Sequence, residues 1–449
     1  MWLKKEKISL KIKKSENKGK IGFWLSTSLV VGNMTGSGIF LLPAALALYG
    51  GISIFGWIYT VVGSIFLALV FSRLSKMFTQ SGGPYTYSRE GFGDFAGFLV
   101  AWGYWISIWA GNAAIAVAGV GYLSFFIPAL KENQILSASV AIGAIWLFTF
   151  INTKSIKKVG MVQLITTVLK ILPLLVLGTF GFFYFNKAHF TPFNLSGESN
   201  FDAITATAAL ALWAFLGLES ATIPSDNIKN PTKTIPRATI AGIITAALLY
   251  ISSTVGVMGI LAPAELQNSA APFADAAQKI WGDWASVLIA IGAAIACFGA
   301  LNGWILLQGQ LPMAAARDKL FPPAFNKISG KGIPVIGIVI ASVLASALVS
   351  LNFTRGLVKM FSFIIMLSTL SCLLPYLFSS LSEIALYLRK KREFNRKRLI
   401  AASLISIPAF LYSLWAITGL ESEVLIWGAI LLTAGVPIYV YLRYSGRKS

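Results

Sequence analysis

The chain has 449 residues, 56% of them hydrophobic and 12% charged, with a mean hydropathy of +0.73. A soluble domain of this length would carry about twice that charged fraction, so the composition excludes one and describes an all-α, polytopic membrane protein. The net charge of +20 invites a nucleic-acid partner. The basic residues lie in short loops and termini, however, and not on one soluble face, which excludes it.

In chain order, residues 1–20 hold eight lysines and two glutamates and read as a solvated cytoplasmic tail within reach of anionic lipid. Tail and first apolar run together imitate a secretory signal. The run is too long and has no small-residue cleavage site, so it is expected to be retained. Twelve transmembrane helices are predicted, at about 21–48, 51–74, 95–127, 136–153, 159–185, 203–223, 238–262, 285–311, 333–351, 357–388, 399–419 and 424–442. With the N-terminus inside, 31 of the 37 Lys/Arg are cytoplasmic. Lys131, Lys187, Lys279, Arg355 and Lys359 fall outside or at an outer edge, and Lys170 lies within a span. That asymmetry satisfies the positive-inside rule and predicts both termini in the cytoplasm of a plasma-membrane protein.

The first run is interrupted by Gly32-Asn33-Met34-Thr35-Gly36-Ser37-Gly38, poor material for a continuous helix. A helix that stops, leaves an extended piece and restarts near Gly38 frees backbone groups. Such groups are tolerated at membrane depth only where they line a cavity or meet a polar ligand. The restarting half-helix would aim its N–H groups at an anion, such as the carboxylate of a small substrate. Alternatively, the glycines serve only close helix packing. Span six has its own interruption, Trp213 to Ser220, with Gly217 weakening the helix and Glu219 at membrane depth. Breaks in spans one and six predict two inverted five-span repeats plus two further spans. The expected organisation is a tail at 1–20, a transport core at 21–388 (repeats at about 21–185 and 203–388), and 389–449 holding the last two helices and a cytoplasmic C-terminus.

Catalysis and metal binding find little support. Cys297 and Cys372 sit in separate apolar runs and His189 in a loop, so no disulfide framework, metal site or cofactor is expected. Gly91-Phe92-Gly93-Asp94 matches the Gly-x-Gly-Asp of intramembrane aspartyl proteases, but that chemistry needs two paired carboxylates, and no span holds a second Asp. A channel would show a filter-like carbonyl run repeated by symmetry, and none is apparent. The chain is therefore expected to be a carrier and not an enzyme.

Gly32 to Pro43, Trp213 to Glu219 and Asn230 to Ala238 resemble the amino acid–polyamine–organocation superfamily, and within it the bacterial arginine/agmatine antiporter group. Ser81 to Tyr87, Gly111-Asn112, Gly303-Trp304, Leu320 to Pro323 and Pro375-Tyr376 follow in the order of that group. The resemblance implies a leucine-transporter-type fold, a small amino acid or amine as substrate, and a homodimer as a further expectation. It puts a substrate carboxylate on Ser37 and the amides around Gly36 and Gly38, and an α-amino group on carbonyls near Met34, Trp213 and Leu216. Trp213 would close over the substrate and Trp304 would face its distal cation. Asn112, one turn from Ser107 and Ile108, would hydrogen-bond a guanidinium or amine, and Ser107 and Ser368 would complete the pocket. Tyr104, Glu219 and Tyr376 would gate it. An indole face attracts a desolvated guanidinium by roughly 2 kcal/mol; the other reading of Trp304 is packing or an interfacial belt. Ile108, Ile115 and Asn302 depart from the antiporter pattern around Asn112 and Trp304, which leaves arginine itself open. Lys170 departs too, about 18 Å into the bilayer at the rise of a helix. At that depth it should have a partner, either as a fixed cation bracing span one or as a proton carrier, as in proton-coupled members of the superfamily.

Overall fold

The computed structural model describes residues 22–36, 38–78, 83–154, 170–219, 222, 228–329, 332–389 and 396–445. Within these the chain is a bundle of helices. The first span is a bent pair, α1 (Phe23–Met34) and α2 (Gly38–Leu46), whose axes diverge by 43°. Then follow α3 (Ser53–Met77), α4 (Pro84–Phe92), α5 (Asp94–Leu123), α6 (Gln134–Lys154), α7 (Lys170–Tyr184) and α8 (Asn200–Leu212). The second half holds α9 (Pro231–Ile260), α10 (Pro272–Trp281), α11 (Asp283–Arg317), α12 (Val335–Asn352), α13 (Leu357–Arg389), α14 (Arg396–Thr418), α15 (Ser422–Thr433) and α16 (Gly435–Ser445). Nine helices, or ten with the bent pair, are long and apolar enough among the described residues to cross a membrane. Two shorter apolar helices, Lys170–Tyr184 and Asn200–Phe215, stand at the fifth and sixth expected spans. The twelve positions are thus occupied; the expected residues 159–169 of span five lie outside the described residues.

Burial separates core from rim. The apolar window of α5 is 94% buried, whereas that of the last span, Ser422–Tyr444, is 17% buried. Accordingly α5 packs against α11 and α13, and α9 packs against α1 and α3, so the centre is built from helices of both halves. Alanine and glycine dominate α5 from Ala110 to Gly121, and small residues let helix backbones approach closely where lipid gives no hydrophobic drive.

Three boundaries differ from expectation for local reasons. Helix α9 begins seven residues before 238, because Pro231 occupies its first position, where the missing N–H and fixed φ cost nothing. Helix α11 continues through Pro312 and does not stop at 311. Helices α4 and α10 stand where loops were expected; both begin on proline. Gly93, at φ 94°, separates α4 from α5, and Asp94 then opens α5 with a carboxylate at its positive end. Asp94 also accepts from Arg89 Nε at 3.0 Å, a half-exposed structural pairing in place of a protease dyad.

Candidate functional site

The interruption of span one follows from its hydrogen bonds. Thr35 N–H donates to the Val31 carbonyl at 2.7 Å, the last helical bond of α1. Gly36 N–H, which would continue the ladder onto Gly32, turns back to the Met34 carbonyl at 2.7 Å. The Gly32 carbonyl is thereby freed, and Lys170 Nζ donates to it at 3.2 Å. Lys170 is fully buried, so its ammonium sits at the negative end of the α1 dipole. Ser37 lies outside the described residues. Gly38 then opens α2, whose nine residues are all buried and whose first N–H groups have no partner within the helix.

Span six breaks in a complementary way. Helix α8 tightens into a single 3₁₀ turn at Trp213–Phe215, Leu216 is extended, and Gly217 follows at φ 98°. That conformation is open to glycine and strained for other residues. The Trp213 carbonyl accepts from Leu216 N–H at 3.2 Å, and the Met34 carbonyl accepts from Gly36 N–H; among the described residues each oxygen keeps a second lone pair for a donor.

A small cavity opens between the two breaks. Met34, Gly36, Gly38, Ser107, Trp213, Leu216, Trp304 and Ser368, all singled out from the sequence, line it together. Tyr104, expected at the gate, lines it as well, as do Asn33, Ile108, Gly111, Ile115 and Ala214. Trp213 is clamped: a Cβ on Gly38 would overlap its indole nitrogen, and a Cβ on Gly111 would lie 2.9 Å from Cη2. Ser368 Oγ donates to the Ser107 carbonyl at 2.7 Å and lies 3.1 Å from Ser107 Oγ, tying α13 to α5 at the cavity wall. Asn112 is buried at the edge of the cavity-facing stripe of α5 and does not itself line the cavity; its Nδ2 donates to Gln308 Oε1 at 2.6 Å. Asn302 is turned away, accepting from Asn152 Nδ2 at 2.9 Å. Of the departures from the antiporter pattern, therefore, Ile108 and Ile115 touch the cavity and Asn302 does not.

One to two turns along α5 and α13 from Ser107 and Ser368 stand Tyr104 and Tyr376. Both phenols donate to the fully buried Glu219, Tyr104 to Oε1 and Tyr376 to Oε2 at 2.9 Å. Further along the same helices is a layer of ion pairs. Arg73 forms a bidentate pair with Glu383, both bonds at 2.7 Å, and Asp318 accepts from Tyr85 at 2.7 Å and from Arg89 at 3.0 Å. Two successive polar layers thus stand on this side of the cavity. Burial raises the Tyr85 phenol well above its ordinary pKa, and the Asp318 carboxylate adds to the shift.

Discontinuous helices meeting at a central cavity are the architecture of a secondary carrier. The family profile described as amino acid permease matches residues 21–441. The chain is 37% identical to the cadaverine/lysine antiporter of Escherichia coli (strain K12), over 80% of this chain and 82% of that protein. It is 33% identical to a putative arginine/ornithine antiporter of Bacillus subtilis and 31% identical to the putrescine transporter PotE of Haemophilus influenzae, over 96% of this chain and 99% of each relative. The chain belongs to the amino acid permease family of the amino acid–polyamine–organocation superfamily. It is a multi-pass membrane transporter of amino acids or amines, not an enzyme.

Sequence reasoning missed Gln308, whose only signal was a polar side chain one turn from Trp304. It also missed Asn33 and Ala214, since backbone exposed at a helix break leaves no residue-type signature.

Proposed function

We propose that the protein exchanges a cationic amino acid, such as arginine, lysine or ornithine, for its amine or for another amino acid, by alternating access across the plasma membrane with both termini in the cytoplasm. One observation carries the reading. The described lining of the cavity contains two indoles and backbone at two helix breaks, and no Asp or Glu. The N-terminus of α2 suits an α-carboxylate, and free lone pairs at Met34 and Trp213 suit an α-amino group. A distal cation would then be met by π faces. Such contacts are worth about 0.5–2 kcal/mol each and let the ion leave again on the other side, as an exchanger requires. Ser37 and the Gly38 amide are assigned to the carboxylate, Gly36 N–H being held by the Met34 carbonyl; Trp304 is assigned to the distal cation and Trp213 to the lid. Tyr104, Glu219 and Tyr376 form the gate.

The relatives are named for cadaverine and lysine, for arginine and ornithine, and for putrescine, which supports cationic amino acids and diamines as the class of cargo. Thermal unfolding of the purified protein tests the reading, since a ligand that binds only the folded state raises stability by RT ln(1 + [L]/Kd). Arginine, lysine, ornithine, cadaverine, putrescine or agmatine should raise the midpoint. Stabilisation by neutral amino acids alone would refute cationic specificity.

Lys170 favours a second reading, proton-coupled symport of broader or neutral specificity. Its position on the Gly32 carbonyl fits a fixed brace at least as well, because the broken end of α1 needs a cation whether or not protons move.

A further inference from the structure

Gln308 sits one turn beyond Trp304 on α11, is fully buried, and is held at every polar atom. Pro312, four residues on, has no N–H to give the Gln308 carbonyl. The indole N–H of Trp105 takes that place at 3.0 Å and fixes the Gln308 backbone against α5. Gly309 and Gly337 bring α11 and α12 into close contact; a Cβ on Gly337 would lie 3.1 Å from Gly309 Cα. At this crossing the Gln308 amide reaches the Ile338 carbonyl at 2.9 Å and Ser342 Oγ at 2.8 Å.

The Ile338 carbonyl fixes a polarity. A backbone carbonyl only accepts, so the Gln308 atom facing it must be Nε2. Oε1 is then left facing Asn112, and it too only accepts. The Asn112 atom facing Gln308 must therefore be Nδ2, which donates at 2.6 Å. Asn112 Oδ1 is consequently the unpaired acceptor at the end of a chain of amides whose direction starts at Ile338. It is buried and has no hydrogen-bond partner among the described residues. Asn112 lies four residues after Ile108 and three before Ile115, on one stripe of α5, and both isoleucines line the cavity.

We propose that Gln308 is a specificity-determining positioning residue: it orients the Asn112 amide so that its carbonyl oxygen, and not its NH₂, is offered to the distal nitrogen of a cationic substrate. This rests on the cationic reading given above. An acceptor in that place favours an ammonium or guanidinium, and a donor would repel one. Without Gln308 the Asn112 amide is free to turn over, and the discrimination between cationic and apolar side chains falls. A carboxylate has no direction to set, so Asp at 112 makes Gln308 unnecessary.

The test measures binding of lysine, arginine and norleucine, the last matching lysine in shape without its distal nitrogen. The proteins are wild type, Gln308→Met, Asn112→Asp and the double variant Asn112→Asp/Gln308→Met. The preference for lysine and arginine over norleucine should fall roughly tenfold or more in Gln308→Met, the scale of a hydrogen bond to a charged group. Norleucine affinity should hold, and the preference should return in the double variant. An unchanged preference in Gln308→Met overturns the proposal while leaving cationic specificity standing. So does an equal loss for all three ligands that Asp at 112 does not rescue, which marks Gln308 as packing only. Wild-type protein with no preference for lysine or arginine overturns the cationic reading and this inference together.

Discussion

Gly38→Ala is a one-methyl perturbation whose effect follows from the clamp on Trp213. The new Cβ would fall within the van der Waals envelope of the indole nitrogen and lie 3.3 Å from Cε2. The far edge of the indole already fills the space that a side chain at Gly111 would need, 2.9 Å from the position of a Cβ there, so it packs close to the α5 backbone on that side. Forcing a methyl into such a contact costs about 1–3 kcal/mol. Helix propensity works in the other direction, favouring Ala over Gly by at most about 1 kcal/mol. The net, about 1–2 kcal/mol, should lower the population of the Trp213 position seen here by roughly 5- to 30-fold, with a matching loss of affinity if Trp213 is the lid. Competition binding of lysine, arginine and cadaverine to purified Gly38→Ala reads this directly. Repeating it in Trp213→Leu separates the indole from the ligand as the group displaced, and there the alanine should cost little. Wild-type affinity in Gly38→Ala, or an equal loss in the Trp213→Leu background, would refute the clamp.

Four further outcomes are expected. Trp304→Leu should weaken cationic ligands by about 1–2 kcal/mol more than norleucine if the indole face meets the distal charge; equal losses in titration calorimetry would reduce Trp304 to packing. Gly217→Ala should destabilise the protein by about 1–2 kcal/mol, since a side chain at φ 98° is strained, and an unchanged thermal midpoint would contradict that. Glu219→Leu leaves two buried phenols without their acceptor, at about 1–3 kcal/mol each. A cysteine placed at Ser368 should then react faster with a thiol reagent from the Arg73 side; no change in rate would mean that Glu219 does not hold the gate. Lys170→Met keeps the chain length but removes the cation from the Gly32 carbonyl. As a brace, its loss should weaken substrate binding at every pH tested, whereas loss of pH-driven uptake with exchange preserved would show a proton-carrying role.

How far the sequence foretold the molecule depends on the physics of each feature. The break after Met34 was legible because glycine and short polar residues inside an apolar run are costly anywhere but at a helix end. The sixth-span break was legible from Gly217 and Glu219 for the same reason. Helices α4 and α10 were not legible, since each spans barely ten residues and carries charge that a search for spanning runs reads as loop. The continuation of α11 through Pro312 was also hidden, because it depends on Trp105, some two hundred residues earlier, satisfying the carbonyl that proline leaves open. The convergence of Ser107, Trp213, Trp304 and Ser368 on one cavity came from family resemblance, since periodicity along one helix says nothing of which helices meet. Asn112 shows the limit of that transfer. A residue name located it correctly on α5, but only its hydrogen bond to Gln308 shows which of its two polar atoms is left to act.

Counterflow in proteoliposomes tests the central claim most directly. Vesicles holding the purified protein are loaded with unlabelled lysine, arginine, cadaverine, putrescine, agmatine, a neutral amino acid or buffer, and uptake of radiolabelled lysine and arginine is followed without a pH gradient. Uptake should saturate, require a cationic amino acid or diamine inside, and match its exit one for one. Uptake that proceeds equally from buffer-loaded vesicles, or that is supported only by internal neutral amino acids, would contradict cationic exchange.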